Sequence, residues 1–364
     1  MKYKISQVAP YVDDRELENL KSVIKNKWIT EGPFSEKLLE MIKDYTHAKY
    51  AVLVNNGTLG LYLSLKAIGV DNNDEVIVPN FTFMASASSV IFAGGKPVLV
   101  DVFENDYHIN FELIEKFITE KTKAIMPVHI YGQSADMDPI MAIAEKYDLR
   151  VIEDAAQGYG VFYNGSHTGT IGDIGVISFF ADKTVTMGEG GIVITDDEEI
   201  YQNLRLLRNQ GRSDSGSFIH SSLGMNFRVT DLQCALGVSQ LEKFEEIQHY
   251  KMKNFSYYKT YLSDVNEIKF MEEKKYCNFV PFRFPLTVEN LKELSKFLEK
   301  NGVQTRNFFY PLHKQPCLNY LHSNDDQFSV SIKLNEVGLV LPIHPFLKEK
   351  DIEYICGLIL SFYN

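Results

Sequence analysis

Lys183 stands in the stretch Gly175-Val-Ile-Ser-Phe-Phe-Ala-Asp-Lys-Thr-Val-Thr-Met-Gly-Glu-Gly-Gly191. The apolar run 176–180 reads as a strand buried on both faces, followed by a polar turn that carries the lysine. The glycines beyond it allow backbone conformations that other residues avoid. An ammonium just past a buried strand is held close to dry surroundings. Desolvation lowers its pKa, and the neutral amine is the form that attacks a carbonyl. The competing reading is a surface lysine in a strand-to-strand loop, so the partners elsewhere in the chain decide between the two.

Four other stretches supply partners, each with an ordinary alternative. In Asn55-Asn-Gly-Thr-Leu-Gly60, between a predicted strand and helix, Gly57 and Thr58 form either an anion site at a helix N-terminus or an N-cap by Thr58. Val151-Ile-Glu-Asp-Ala-Ala-Gln157 puts Asp154 at the carboxyl end of a strand. A carboxylate there either pairs with a protonated ring nitrogen or caps a helix, and Gln157, one turn on, can hydrogen-bond another ligand atom. Phe83, in Asn80-Phe-Thr-Phe-Met-Ala85, is either a platform for a flat cofactor or one more core ring among 24 phenylalanines. Ser178 either adds its hydroxyl to the anion site or is locally satisfied. Taken together, an amine to anchor a carbonyl, a carboxylate for a ring nitrogen, an aromatic platform and a phosphate cradle are what pyridoxal 5′-phosphate requires.

The elements that must position these residues are legible from periodicity. Asp13-Asp-Arg-Glu16 resembles a capping box ahead of an amphipathic helix, and a second helix is predicted at 35–45. Strands at 50–54, 75–79, 97–102, 123–128 and 150–153 then alternate with helices at 58–68, 85–93, 111–119 and 139–147. Such alternation predicts a mostly parallel sheet covered by helices on both faces, with ligands outside the carboxyl ends of its strands. After Lys183 come a strand at 191–195 and helices at 198–208 and 230–244, the last continuing as a connector through 245–259. A strand at 280–286 and helices at 288–301 and 349–362 predict a smaller α+β domain. The expected division is a large α/β domain over 1–245 and a small one over 246–364.

Composition narrows the function class. The 364 residues carry a formal charge of −11 and no basic stripe, which argues against nucleic acid as a partner. The start lacks the apolar core of a signal peptide, and no run approaches a membrane span. Cys234, Cys277, Cys317 and Cys356 are scattered without CxxC spacing. Reduced thiols in a cytoplasmic protein, with no metal site, are the expectation.

The order of the motifs resembles the DegT-type sugar-nucleotide aminotransferases, members of the aspartate-aminotransferase fold class (fold type I). The likeness is carried by Trp28-Ile-Thr-Glu-Gly-Pro33, Asn56-Gly-Thr58, Pro79-Asn-Phe-Thr-Phe83, Pro97-Val-Leu-Val-Asp101 and Pro127-Val-His-Ile-Tyr-Gly132. It continues through Ile152-Glu-Asp-Ala-Ala-Gln157, Ser178-Phe-Phe-Ala-Asp-Lys183, Gly188-Glu-Gly-Gly191 and Gly224-Met-Asn-Phe-Arg228. The resemblance implies that Lys183 holds the cofactor covalently, Asp154 pairs with the pyridine nitrogen and Phe83 stacks on the ring. It puts Gln157 near the phenolic oxygen and Gly57, Thr58 and Ser178 on the phosphate. It further implies that Asn226 reaches the phosphate of a neighbouring subunit, making a homodimer with shared sites. Two departures are mild: the residue before the lysine is often Thr or Asn and here is Asp182, and Phe83 is Trp in some relatives.

Thr305-Arg-Asn-Phe-Phe-Tyr-Pro-Leu-His313 and Leu341-Pro-Ile-His-Pro-Phe346 are similar to one branch of that family, which implies a GDP-4-keto-6-deoxymannose acceptor and L-glutamate as donor. UDP- or dTDP-linked keto sugars are the alternative acceptors, and surface-polysaccharide synthesis is the implied setting. Tyr310 and His313 are then substrate-side residues, against the reading of a Pro-containing turn with a solvated histidine. Thr30, in the 28–33 loop, is the third such residue. Three rivals are a dehydratase, which would carry histidine at position 183, a non-enzymatic cofactor-binding regulator, and an amino-acid aminotransferase. The last is disfavoured because no arginine is assignable to a second carboxylate.

Overall fold

The computed structural model of the chain describes residues 3–213, 216, 218–321 and 324–364. Its larger sheet has seven strands in the order Tyr50–Val54, Gly191–Thr195, Ile174–Ser178, Arg150–Asp154, Thr122–Ile125, Glu75–Pro79 and Lys96–Val100. Pairing is parallel from Ile174–Ser178 across to Lys96–Val100. Gly191–Thr195 alone runs antiparallel, to both of its neighbours. Tyr50–Val54 therefore points the same way as the parallel set, and the carboxyl ends of Tyr50–Val54, Ile174–Ser178, Arg150–Asp154 and Glu75–Pro79 share one edge. Strands such as Glu75–Pro79, Ile174–Ser178 and Gly191–Thr195 are buried at every residue, as their continuous apolar runs require in a sheet covered on both faces.

Local signals account for most boundaries. The helix Asp14–Asn26 begins with the expected capping box, Asp13 accepting from Arg15 N and Glu16 accepting from Asp13 N at 2.8 Å. The expected helix at 111–119 is shorter, Phe111–Ile114, and tightens into a 3₁₀ turn over Glu115–Phe117. The predicted 230–259 helix is two helices, Asp231–Glu242 and Phe244–Leu262. Lys243, at the break, is fully buried and its ammonium meets Glu16 Oε1 at 2.6 Å.

A second, antiparallel sheet has the order Ile268–Phe270, Phe284–Val288, Gly338–Leu341 and Arg306–Asn307. Its strand expected at 280–286 lies at Phe284–Val288. The helices Leu291–Lys300, Phe244–Leu262 and Glu349–Tyr363 close a core on it around Tyr258, Phe284, Leu294 and Ile355. All four cysteines are free thiols. Among the described residues no helix is long and apolar enough to cross a membrane, and no cluster of His, Cys, Asp and Glu could hold a metal.

Candidate active site

A cavity of about 460 Å³ opens where the carboxyl edge of the larger sheet faces Arg306–Asn307 of the smaller one. Gly57, Thr58, Phe83, Asp154, Gln157, Ser178 and Lys183 all line it. Sequence separations of more than a hundred residues are closed by the topology, since each of these residues follows, or ends, a strand of the shared edge.

The cradle is built at the start of the helix Gly57–Ala67. Asn56 is the N-cap, its Oδ1 accepting from Leu59 N at 2.9 Å. Thr58 is therefore not the cap, and its side chain lies on the cavity wall. A Cβ at Gly57 would stand 2.9 Å from Ser178 Cβ, and one at Gly191 would stand 2.8 Å from the Asn56 carbonyl carbon. Helix start and strand end thus approach as closely as glycine permits. Free N–H groups of a first helical turn, with the hydroxyls of Thr58 and Ser178 beside them, make an anion site of phosphate chemistry.

Asp154 ends its strand with the carboxyl group buried. Its Oδ2 accepts from Ser86 Oγ at 2.7 Å and its Oδ1 from Ala156 N at 3.2 Å. Burial pushes its pKa up, and those two hydrogen bonds oppose the shift. Among the described residues no cation forms an ion pair with it. A buried carboxylate held only by neutral donors is a ready partner for a protonated ring nitrogen.

The strand before Lys183 ends at Ser178, two residues earlier than expected, because the Phe180 carbonyl accepts from Lys183 N at 2.9 Å in a turn. The half-buried Lys183 side chain puts Nζ 4.6 Å from the centre of the Phe282 ring. Its pKa falls to about 8, chiefly through desolvation; Asp182 and Asp154 oppose the fall and Arg283 adds to it. This answers the surface-lysine reading: the side chain faces an enclosed wall.

Phe83 is 60% exposed, with its edge toward Phe309 at 6.4 Å, so it is a cavity ring and not a core one. Gln157 has its amide oxygen fixed by Tyr131 N at 2.8 Å, which leaves its NH₂ group to donate into the cavity. Tyr131 itself adopts φ +55° and stacks on Phe309 at 5.8 Å and 7°. A bulky residue at positive φ is uncommon, and here it lies on a ligand-sized cavity.

Four expected residues do not line this cavity. Asn226 is exposed, its Oδ1 accepting from Arg228 N at 3.2 Å. Thr30 and Tyr310 are also exposed. His313 corrects the expectation of a solvated ring. It is 7% exposed and stacked on Phe328 at 4.5 Å, its backbone N–H donating to Asn80 Oδ1 at 2.9 Å and its Nε2 lying 3.2 Å from Asp325. Burial lowers its pKa, with Asp325 opposing.

Sequence reasoning also missed residues that the cavity contains. Asp182 accepts from both Arg283 and Arg306, and all three line the cavity, where sequence reading had assigned no arginine. The signal for Arg283 was present: a single charge inside the apolar run Val280-Pro-Phe-Arg-Phe-Pro-Leu286.

Comparison with known proteins agrees with this geometry. The profile of the DegT/DnrJ/EryC1/StrS aminotransferase family matches residues 10–360. The chain is 36% identical over 359 residues to a GDP-perosamine synthase of Caulobacter vibrioides, covering 97% of this chain and 96% of that one. It is 33% identical over 353 residues to the UDP-2-acetamido-2-deoxy-3-oxo-D-glucuronate aminotransferase of Pseudomonas aeruginosa, covering 96% of each. The structure of a putative sugar aminotransferase from Streptococcus pneumoniae in its PMP form superposes with a TM-score of 0.94 at 25% identity, covering 98% of both chains.

Proposed function

Since the chain belongs to the DegT/DnrJ/EryC1/StrS aminotransferase family, and is thereby a pyridoxal-phosphate-dependent sugar-nucleotide aminotransferase, we propose that it makes GDP-perosamine from GDP-4-keto-6-deoxy-D-mannose and L-glutamate. The observation that carries this finer reading is the 36% identity to a GDP-perosamine synthase across nearly all of both chains. The setting we propose is the cytoplasmic synthesis of sugars for surface polysaccharide such as O-antigen. Residues 1–245 and 246–364 serve as its large and small domains.

When bound, pyridoxal phosphate supplies an aldehyde that accepts an amino group and a protonated ring that draws electrons from the neighbouring carbon. The cradle of Gly57, Thr58 and Ser178 would take the phosphate, and the close approach at Gly57 fits a group that must touch backbone. Phe83 would cover one ring face. Asp154 would keep the ring nitrogen protonated by offering it a buried negative partner, and the Gln157 NH₂ group, its oxygen already engaged, would be free to donate to the phenolic oxygen. Lys183 would hold the aldehyde carbon through Nζ. With the cofactor bound, Nζ would be the group placed to take a proton from the donor's α-carbon and to return one on the acceptor side. A pKa near 8 leaves Nζ able to hold and release that proton around neutral pH.

The partner for Asn226 is a second copy of this chain. The segment around it exposes Phe218 by 90%, Ile219 by 74%, Leu223 by 96% and Met225 by 56%, more apolar side chain than a lone surface segment leaves uncovered. Asn55 Nδ2 donates to Arg228 O at 2.6 Å, tying that segment to the loop that starts the phosphate helix. A second copy covering this segment would bring Asn226 of each chain toward the other's cradle.

The test is an acceptor panel of GDP-, UDP- and dTDP-linked keto sugars with glutamate as donor. Formation of the 4-amino GDP-sugar is the expected result. An inert GDP-4-keto-6-deoxymannose beside an active UDP acceptor, the reading favoured by the likeness to the Pseudomonas enzyme, would replace the proposed substrate and leave the family assignment standing.

A further inference from the structure

Lys183 has a second cavity at its back. Its volume is about 30 Å³, room for about one water. Lys251, on the helix Phe244–Leu262, is 4% exposed and lines this chamber together with Lys183, Thr184 and Phe282. Its Nζ donates to Thr184 Oγ1 at 3.1 Å and to the Phe282 carbonyl at 3.2 Å. Thr184 is the chain neighbour of Lys183, and the Phe282 ring is the one whose centre lies 4.6 Å from Lys183 Nζ. One buried side chain therefore ties the turn that carries the reacting amine to the wall which that amine faces.

The tie is made without an ion pair. Charged and titratable groups face Lys251 from every side of the chamber: Asp182 and Lys183 from the lysine turn, Arg283 from beside Phe282, His344 from beyond the strand Gly338–Leu341, and Tyr11 from the N-terminal segment. Asp182 is the one carboxylate among them, and it is already engaged by Arg283 and Arg306. Burial, then Arg283 and Lys183, lower the Lys251 pKa to about 7 against the opposing pull of Asp182. A neutral lysine amine has two N–H donors, and Thr184 and Phe282 offer two neutral acceptors, so the tie holds with no buried charge to solvate.

We propose that Lys251 is a positioning residue for Lys183: it clips Thr184 to the Phe282 carbonyl, holds the reacting amine against a dry wall, and does so as a neutral donor that leaves the proton to Lys183. The proposal rests on the reading of Lys183 as the residue that captures the cofactor, and deepens it.

The test is the pH midpoint of Lys183 itself, read in the full cofactor-free chain in two ways. One is the rate of covalent capture of pyridoxal phosphate, and the other is trace acetylation of the amine scored by mass spectrometry. Lys251→Met keeps the length and apolar bulk of the side chain and removes both donors. Water then reaches the wall, and the midpoint should rise from about 8 by about one pH unit, slowing capture at pH 7 about tenfold. Lys251→Arg keeps donors but brings a cation that stays charged, so it should lower the midpoint instead. Thr184→Val cuts one of the two ties at a half-buried position and should shift the midpoint upward by less than Lys251→Met. It decides the question alone if Lys251→Met does not fold. A Lys251→Met or Thr184→Val chain that is less stable to heat yet keeps the wild-type midpoint reduces Lys251 to packing and overturns the proposal. So does an upward shift in Lys251→Arg equal to that in Lys251→Met. Acetylation needs no cofactor, so the expected shifts in a chain that never captures pyridoxal phosphate would leave the positioning role standing and sink the cofactor reading.

Discussion

Ser86 donates its hydroxyl to Asp154 Oδ2 at 2.7 Å, joining the helix Ala85–Ala93 to the end of the strand Arg150–Asp154. That bond opposes the upward push of burial on the carboxyl pKa. Ser86→Ala should therefore make Asp154 easier to protonate and the ring nitrogen harder to keep charged. A hydrogen bond to a charged group contributes about 1.5–3 kcal/mol, so cofactor affinity should fall at least about tenfold. Titration of the apoenzyme with pyridoxal phosphate, followed by visible absorption, checks it.

Lys183→Ala should still bind the cofactor through the cradle, Phe83 and Asp154. Turnover should drop by at least about 10²–10⁴-fold from the loss of acid–base catalysis alone. Borohydride should fix the cofactor to the wild type and leave it removable from the variant, as mass spectrometry of the denatured chains will read. Normal turnover in the variant would end the assignment of Lys183.

The depressed pKa of Lys183 sets a pH window. With a folded value of about 8, the fraction of free amine rises as pH passes through 8, well below the ordinary lysine range. The rate of covalent cofactor capture by the apoenzyme should rise with a midpoint near that value; a midpoint above 10 would contradict a dry lysine. Stability follows the same sign. Between pH 8 and the ordinary value of 10.5 the unfolded chain binds more protons at this site than the folded one. This group's contribution to stability should therefore increase with pH across that window. Lys251, lowered to about 7 chiefly by burial, adds in the same direction from a lower starting point.

Gly57→Ala should strike at the cradle. The added methyl would stand 2.9 Å from Ser178 Cβ, forcing the helix start and strand end apart. Overpacking of this kind costs about 1–3 kcal/mol and would displace the first-turn N–H groups from the phosphate. Thermal unfolding and cofactor affinity should fall together, whereas Gly357→Ala, with nothing within 4 Å of the added carbon and no positive φ, should leave both alone.

Shared sites make a complementation experiment decisive. Lys183→Ala and Asn226→Ala chains, each weak alone, should regain activity when mixed and re-associated. A mixed dimer holds one site with both residues intact, so about a quarter of wild-type activity is expected from random pairing in a two-fold dimer. No recovery would place Asn226 outside the partner's site.

Much of this molecule was readable from its chain. The strands at 50–54, 75–79 and 191–195 have the expected bounds because continuous apolar runs end at turn residues. The cavity's seven predicted lining residues were found because each follows a strand end, where motif and element coincide. What escaped was long-range. Periodicity says nothing of strand order, so the antiparallel placement of Gly191–Thr195 was invisible. His313 was misread for a similar cause: local sequence shows a polar ring after a proline, while Phe328 and Asn80, which bury it, lie far along the chain. Arg283 and Arg306 reach the cavity because the smaller sheet leans on the larger; the lone charge in the apolar run marked Arg283 as unusual, but nothing local said where it points.

The antiparallel strand has one more consequence. Ser178 pairs with Gly191, Phe179 N donates to Gly190 O at 2.9 Å, and Met187 N donates to Phe179 O at 2.9 Å. The excursion that bears Lys183 is thereby stitched shut at its base, like a fingertip on a clasped hand. Its tip can be rewritten while the weave beneath keeps its register, so a lineage built on this sheet is free to exchange the reacting side chain and take up different chemistry without first inventing a new scaffold.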